Sequence, residues 1–204
     1  IDFLIDCGAH KGEYLKQMLF LNLNNYFAFE PQKKIFNILK KNLKIHKNIA
    51  FYNIACSNKK NKVTFYINNL SSTSSLIKPN EKNYYFKIKK IVLGGSLVER
   101  KELIKCNSID NILYNKILRF NEGILKIDVE GAEYEALCGC KKILGSKRIK
   151  FIQLENLFFL DKKKSKKKQI NKLLLKYNYK KIKKFTFPTL HFSDEIYKLY
   201  EQNK

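Results

Sequence analysis

The ten residues Phe3-Leu4-Ile5-Asp6-Cys7-Gly8-Ala9-His10-Lys11-Gly12 decide how this chain folds. Residues 2–7 are mostly apolar, and so short a run bounded by glycine reads as a buried strand rather than a helix. Gly8 and Gly12 mark a tight turn, because glycine enters left-handed backbone without steric cost. Beyond the turn, Tyr14, Leu15, Met18 and Leu19 recur at helical spacing until the Asn-rich stretch 22–25 stops them. Strand, glycine turn and helix form the first unit of the fold.

Downstream, residues 26–29 read as a second strand. Residues 33–43 place Ile35, Phe36, Leu39 and Leu43 on one face with lysines opposite, as in an amphipathic helix covering a sheet. Residues 49–52 make a third strand. Two successive strand–helix–strand units predict an α/β chain with a doubly wound, mostly parallel sheet. From 53 to about 120 the pattern changes: 63–67 is β-rich, 70–75 is a Ser/Thr loop and 86–93 is extended. This β-rich insertion is expected over the carboxyl ends of the strands, where it shapes the substrate pocket. The parallel pattern resumes at 124–127. A helix is expected over 132–144 with Leu137, Cys140 and Leu144 on one stripe, and 151–154 is the next buried strand. A further helix carries Ile170, Leu173, Leu174 and Tyr177, and 180–187 with 195–200 are expected to close the sheet as an antiparallel pair. No repeat or Pro/Gly linker divides the chain, so residues 1–204 read as one domain.

Hydrophobic residues make up 45% and aromatics 13% of the chain, enough to offset chain entropy and to exclude disorder. No apolar segment approaches the roughly 18 residues that span a bilayer, and no signal-peptide pattern is present, so a cytoplasmic location is expected. The sequence opens at Ile1 without methionine, and further residues are expected upstream. Cys7, Cys56, Cys106, Cys138 and Cys140 lack zinc-like spacing and read as reduced thiols. Lysine and arginine outnumber aspartate and glutamate 41 to 18, and the net charge of +23 attracts nucleic acid, anionic lipid or acidic polysaccharide. Only Arg100, Arg119 and Arg148 are arginine, whereas bidentate recognition of phosphates and base edges favours arginine over lysine. A Lys-, Asn- and Ile-rich chain without tryptophan is also what AT-rich coding produces. The lysine run over 162–168 reads as a solvated loop before the last helix.

Three sites carry chemistry. In residues 6–12, backbone approaches a ligand closely and helix N–H groups face it. A hydride-transfer dinucleotide site would hold glycine at 6, 8 and 11, where this chain has Asp6, Gly8 and Lys11. Asp6 opposes a pyrophosphate, since two anions would face each other, and favours a ligand with an ammonium or sulfonium. S-adenosylmethionine is such a ligand. Glu30, in Phe29-Glu30-Pro31 at the end of the second strand, stands where an acid accepts hydrogen bonds from both ribose hydroxyls of an adenosine. As a plain loop carboxylate it would equally suit the start of a helix. Asp128, Glu130 and Glu133 follow a strand and open a helix, a density of carboxylates that calls for capping, a cation or a substrate.

Taken in order, Leu4-Ile5-Asp6-Cys7-Gly8-Ala9-His10-Lys11-Gly12, Phe29-Glu30-Pro31, Ser108-Ile109-Asp110 and Lys126-Ile127-Asp128-Val129-Glu130-Gly131-Ala132-Glu133-Tyr134-Glu135 resemble the FkbM family of methyltransferases. The resemblance runs from Leu4 to about Glu155, and Asp-Val-Glu-Gly-Ala-Glu is its most specific part. It implies a Rossmann-like class I fold, S-adenosylmethionine as methyl donor, and O-methylation of sugars or natural-product hydroxyls. By the same resemblance Asp6, Gly8 and Gly12 line the methionine end of the cofactor, with Ala9 and His10 in the same loop. Glu30 then holds the ribose, and Asp128 lies near the transferred methyl. His10 stands where many class I members carry a second turn glycine, and it reads as a loop residue packing near the cofactor rather than a base. Residues 71–75 resemble a Ser-rich family stretch.

Asp128, Glu130 and Glu155 are expected at the ends of neighbouring parallel strands, facing one crevice where any of them could orient or deprotonate an acceptor hydroxyl. They could also bind Mg²⁺ through oxygen, but nothing in the pattern separates a metal site from a hydrogen-bonded carboxylate cluster, so no metal is assigned. His46 and His191 read as structural or surface residues. A small-molecule or carbohydrate acceptor is the expected partner. The charge also admits an RNA or DNA methyltransferase, or a non-catalytic basic module that binds nucleic acid or polysaccharide. Against the first stand the lack of an Asn/Asp-Pro-Pro-Tyr segment at Asp128 and of a Pro-Cys nucleophile at Cys106. Against the second stand the intact Asp6, Gly8, Glu30 and Asp128.

Overall fold

In the computed structural model, which describes residues 1–68, 74, 76, 98–157, 163–186 and 192–200, the opening strand is β1 (Phe3–Cys7), buried throughout. Both of its neighbours, β2 (Asn25–Phe29) and β7 (Gly123–Ile127), run parallel to it. The sheet continues in parallel to β3 (Ile49–Tyr52) beyond β2 and to β8 (Ile149–Leu157) beyond β7. It closes with β10 (Phe192–Leu199), which is antiparallel both to β8 and to the edge strand β9 (Tyr179–Thr186), in the order β3-β2-β1-β7-β8-β10-β9. This is the doubly wound α/β sheet, mostly parallel with an antiparallel C-terminal strand, that the sequence predicts.

Both faces of the sheet are covered, which is why its central strands are almost continuously apolar. On one face Leu4, Tyr26 and Ala28 meet Leu15 of α1 (Glu13–Met18) and Phe36, Leu39 and Leu43 of α2 (Lys33–Leu43). Burying each large side chain of α2 contributes about 1.5–3 kcal/mol, which holds a lysine-rich helix of modest intrinsic stability in place. On the other face Phe3, Ile5, Leu125, Ile127, Ile152 and Leu154 pack with α3 (Ile109–Ile117), α4 (Glu133–Cys138), α5 (Lys141–Gly145) and α6 (Lys163–Lys176).

Three elements differ from the sequence reading. Residues 163–168, expected in a loop before the last helix, form the opening turns of α6. The helix expected over 132–144 is broken into α4 and α5 at Gly139, where a Cβ would stand 2.1 Å from the carbonyl oxygen of Ser57. Backbone meets backbone there, and periodicity carries no trace of so close a crossing. Residues 109–117, read as part of the insertion, form α3, which the Ser108 side chain caps by accepting a hydrogen bond from the Asn111 N–H at 3.1 Å. Ile109, Leu113 and Ile117 are its buried face, so α3 belongs to the main layer. Before it, β4 (Ala55–Cys56), β5 (Asn61–Asn68) and β6 (Val98–Asn107) make a separate three-stranded sheet, ordered β4-β6-β5 around Phe65, Ile67 and Ile104. The expected strand at 86–93, the loop at 70–75 apart from Ser74, Lys162 and His191 lie outside the described residues. Among the described residues no helix is long and apolar enough to cross a membrane.

Gly139→Ala is expected to lower the unfolding free energy by about 1–3 kcal/mol, read from the urea midpoint, because the new methyl overlaps a carbonyl that cannot retreat. Gly145→Ala, whose Cβ would make an ordinary 3.6 Å contact with the Tyr177 ring, is expected to hold or raise it, by up to about 1 kcal/mol.

Candidate active site

Parallel register brings the site together. Asp6 on β1 lies directly beside Lys126 on β7, and Lys126 beside Gln153 on β8. The Lys126 ammonium stands 3.4 Å from Asp6 Oδ1 and 2.9 Å from Asp128 Oδ2. Burial works to lower the pKa of Lys126, but Asp6 and Asp128 outweigh it and hold the group charged. Burial also pulls the Asp6 carboxyl above the ordinary range, against the pull of Lys126. Neither Asp6 oxygen accepts a hydrogen bond among the described residues. From α1, the Tyr14 ring lies 5.1 Å from the ammonium and its hydroxyl donates to Gln153 Oε1 at 3.0 Å.

The glycine turn is wedged between two strand ends. Gly8 and Ala9 donate their N–H groups to the Phe29 carbonyl at 3.0 and 2.9 Å. A Cβ on Gly8, whose φ is +89°, would fall 1.8 Å from the Asp128 carbonyl oxygen, so only glycine fits. His10 has left-handed backbone, φ 47°, which turns its N–H to Glu30 Oε2 at 3.1 Å, while Gln32 N–H donates to Oε1 at 2.8 Å. Burial raises the Glu30 carboxyl to about 7 despite those two bonds, and burial lowers the pKa of His10. Asn53 locks the same loop, its amide donating to the carbonyls of Glu30 and Pro31 at 2.9 Å each.

At the far side of the turn, ligand-type oxygens of Asp128, Glu130 and Glu155 all lie within 4.8 Å of one another. Glu155 is pushed up to about 10 by burial and by the charge of Asp128, so at neutral pH it is a carboxylic acid able to share its proton. A divalent cation would relieve the same repulsion, and the three oxygens are of the type it takes. Glu133 is apart from this group: it accepts the Gly131 N–H at 2.6 Å and secures the start of α4.

A cavity of about 250 Å³ joins these parts. Gly8, Ala9, His10, Glu30, Asp128 and Glu130 line it, together with Tyr14 and Lys126. Asp6, Gly12 and Glu155 are not among its lining residues. Gly12 instead faces Leu39 and Leu43 and seats α1 on α2. Phe65, Ser74 and Leu76, from the 53–120 segment, also line the cavity. Of the other residues in the resemblance, Asp110 accepts the N–H groups of Lys142 and Ile143 and ties α3 to α5. The sequence reading missed Lys126, Tyr14, Asn53 and Gln153. A lysine inside Ile124-Leu125-Lys126-Ile127 was the available signal, since a charge in a buried parallel strand needs a partner.

The profile of the methyltransferase FkbM domain matches residues 6–181. The chain belongs to the FkbM methyltransferase family. No curated protein matches the sequence. Among solved structures, it is similar to a chain of a fibrillarin/Nop5p complex, with a TM-score of 0.51 and 12% identity over 98% of this chain and 73% of that one. It is also similar to the methyltransferase domain of bacterial CtHen1-C, with a TM-score of 0.50 and 11% identity over 97% and 89% of the two chains. An rRNA methylase from Streptococcus thermophilus matches with a TM-score of 0.49 and 10% identity over 98% and 87%. At such identities the first two likenesses are ones of fold alone. The FkbM chain thus has the Rossmann-like class I methyltransferase fold, which implies S-adenosylmethionine as the methyl donor. The cavity's residues fit that molecule: a glycine turn beside an adenosine-type acid leaves backbone accessible.

Glu30 offers a direct titration. Because its folded pKa lies above the ordinary 4.5, the folded state binds the extra proton between 4.5 and about 7, and stability falls as pH rises through that window. Carboxyl-carbon NMR is expected to give Glu30 a midpoint near 7, and Glu30→Ala is expected to flatten the pH dependence of unfolding over the same range.

Proposed function

We propose that this FkbM-family chain transfers the sulfonium methyl of S-adenosylmethionine to a hydroxyl oxygen of a sugar, a polysaccharide precursor or another small metabolite. The observation that carries the reading is that Glu30, Asp128 and Glu130 line one cavity, with Glu155 clustered against Asp128 and Glu130 just outside its lining. Glu30 takes the ribose hydroxyls; the Gly8-Ala9-His10 backbone and Asp128 meet the methionine portion; Asp6 supplies negative charge behind them, and Gly12 holds the turn. The donor supplies an electrophilic methyl on sulfur. Everything else falls to the protein: Asp128, ion-paired with Lys126, accepts the acceptor hydroxyl, and neutral Glu155 donates to the shared hydrogen-bond system. Holding oxygen and methyl in line supplies much of the rate, and a carboxylate that takes the proton adds about 10²–10⁴-fold. Residues 1–204 act as one domain with the insertion shaping acceptor choice, and five free cysteines agree with work in the cytoplasm.

A nucleic-acid acceptor is the second reading, favoured by the net charge of +23. The lining of the cavity speaks against it, since Lys126, already held by two carboxylates, is the lone Lys or Arg there among the described residues.

Isothermal titration is expected to show S-adenosylmethionine binding that changes little with salt. Glu30→Ala is expected to weaken it about 10–100-fold through two lost hydrogen bonds to a charged acceptor. Label transfer from methyl-labelled donor to a panel of sugars and sugar nucleotides, run beside RNA, tests the acceptor. Glu155→Gln and Asp128→Asn are each expected to cut transfer to the sugar by about 100-fold or more. A folded chain that binds no donor, or methylates RNA alone, sinks the reading.

A further inference from the structure

Eleven lysines and no acidic residue lie between positions 163 and 186, so this short segment holds eleven of the chain's 23 net positive charges. The segment is α6, a turn at Tyr177-Asn178, and β9. Lys168, Lys172 and Lys176 are exposed on α6, as are Lys180, Lys181, Lys183 and Lys184 on β9, the last strand of the sheet. Ion pairs absorb part of this charge. Glu135 holds Lys166 at 2.6 Å, and the buried Glu195 holds Lys167 at 2.9 Å and Lys181 at 3.2 Å. Exposed Lys198 of β10 is the register partner of Lys180, and like charges directly opposite destabilise a strand pair. Lysine on an edge strand deters pairing with a second chain, but that accounts for β9 and not for the exposed lysines of α6.

Large apolar side chains are interspersed with these charges: Leu175 is 63% exposed, Ile182 47% and Phe185 44%. Ammonium groups beside exposed apolar tips suit an anionic bilayer, where each lysine near the surface contributes about 1 kcal/mol and the apolar tips enter the interface. Single-stranded nucleic acid would instead call for open aromatic faces and arginine forks. Here Lys183 sits 5.2 Å from the Phe185 ring and Lys180 4.7 Å from the Tyr200 ring, and the segment contains no arginine. Register also places this edge near the carboxylates. Glu155 pairs with Asp194 and Asp194 with Phe185, so Phe185 is two strand spacings, about 10 Å, from Glu155.

We propose that the α6–β9 edge docks on an anionic phospholipid bilayer. On the methyl-transfer reading, on which this consequence alone rests, the carboxylate end of the sheet then meets acceptors held at that surface. The test is sedimentation of the chain with vesicles of equimolar phosphatidylcholine and phosphatidylglycerol, against phosphatidylcholine alone, at about 0.1 M salt. Binding to the anionic vesicles only is expected. Replacing Lys168, Lys172, Lys176, Lys180 and Lys183 together by glutamine is expected to reduce partitioning at least about 100-fold, and Phe185→Ser alone several-fold. Donor affinity of the five-lysine variant, measured by calorimetry, is expected to match the wild type and shows that it folds. Equal partitioning onto neutral vesicles, full binding by the five-lysine variant, or preferential capture by single-stranded RNA overturns the proposal. Loss of donor binding in the wild type would overturn the methyltransferase reading and leave the docking result standing.

Discussion

The ammonium of Lys126, buried between Asp6 and Asp128, is the interaction on which the centre of the molecule depends. Taking an ion out of water costs several kcal/mol unless partners replace the hydration, so each of these three groups requires the others. Register between β1, β7 and β8 sets Asp6, Lys126 and Gln153 in one row across the sheet, on the face that α1 covers. An apolar cover would leave that row unsatisfied. Tyr14 resolves the conflict, offering its ring to the ammonium and its hydroxyl to Gln153, whose amide reaches Asp194 at 3.4 Å.

Charge balance follows from the same row. Asp6 and Asp128 set two carboxyl groups against the single ammonium of Lys126, while burial and the charge of Asp128 raise the pKa of Glu155. A site richer in carboxyls than in ammonium groups suits a sulfonium better than a phosphate. The backbone cooperates, because Gly8 lets the strand ends of β1, β2 and β7 converge on one turn and His10 gives its N–H to Glu30. Fold and site are therefore one arrangement, with the small β4-β6-β5 sheet supplying a wall from outside it.

Much of this was legible in the sequence because it depends on local pattern. The apolar stripe of α2 is reproduced residue for residue, and the clustering of Asp128, Glu130 and Glu155 followed from placing each at the end of a parallel strand. What escaped depends on contacts between segments far apart in the chain. Lys126 finds its partner 120 residues away through strand register. Asn53 acts on Glu30 from the end of β3, and Gly139 breaks a helix because Ser57 passes beside it. Periodicity reports which side of an element is buried, and says nothing of which backbone atom will lie against it. The helix α3 was hidden for another reason, since its nine residues follow a long aperiodic stretch that masked the serine cap.

A crystal structure of the chain with S-adenosylhomocysteine bound tests the central claim most directly. The ribose hydroxyls are expected on the Glu30 carboxylate, and the thioether between the Gly8-Ala9-His10 turn and Asp128, with Lys126 still bridging Asp6 and Asp128. A nucleoside bound away from Glu30, or a Lys126 that leaves both aspartates when the site fills, would contradict it.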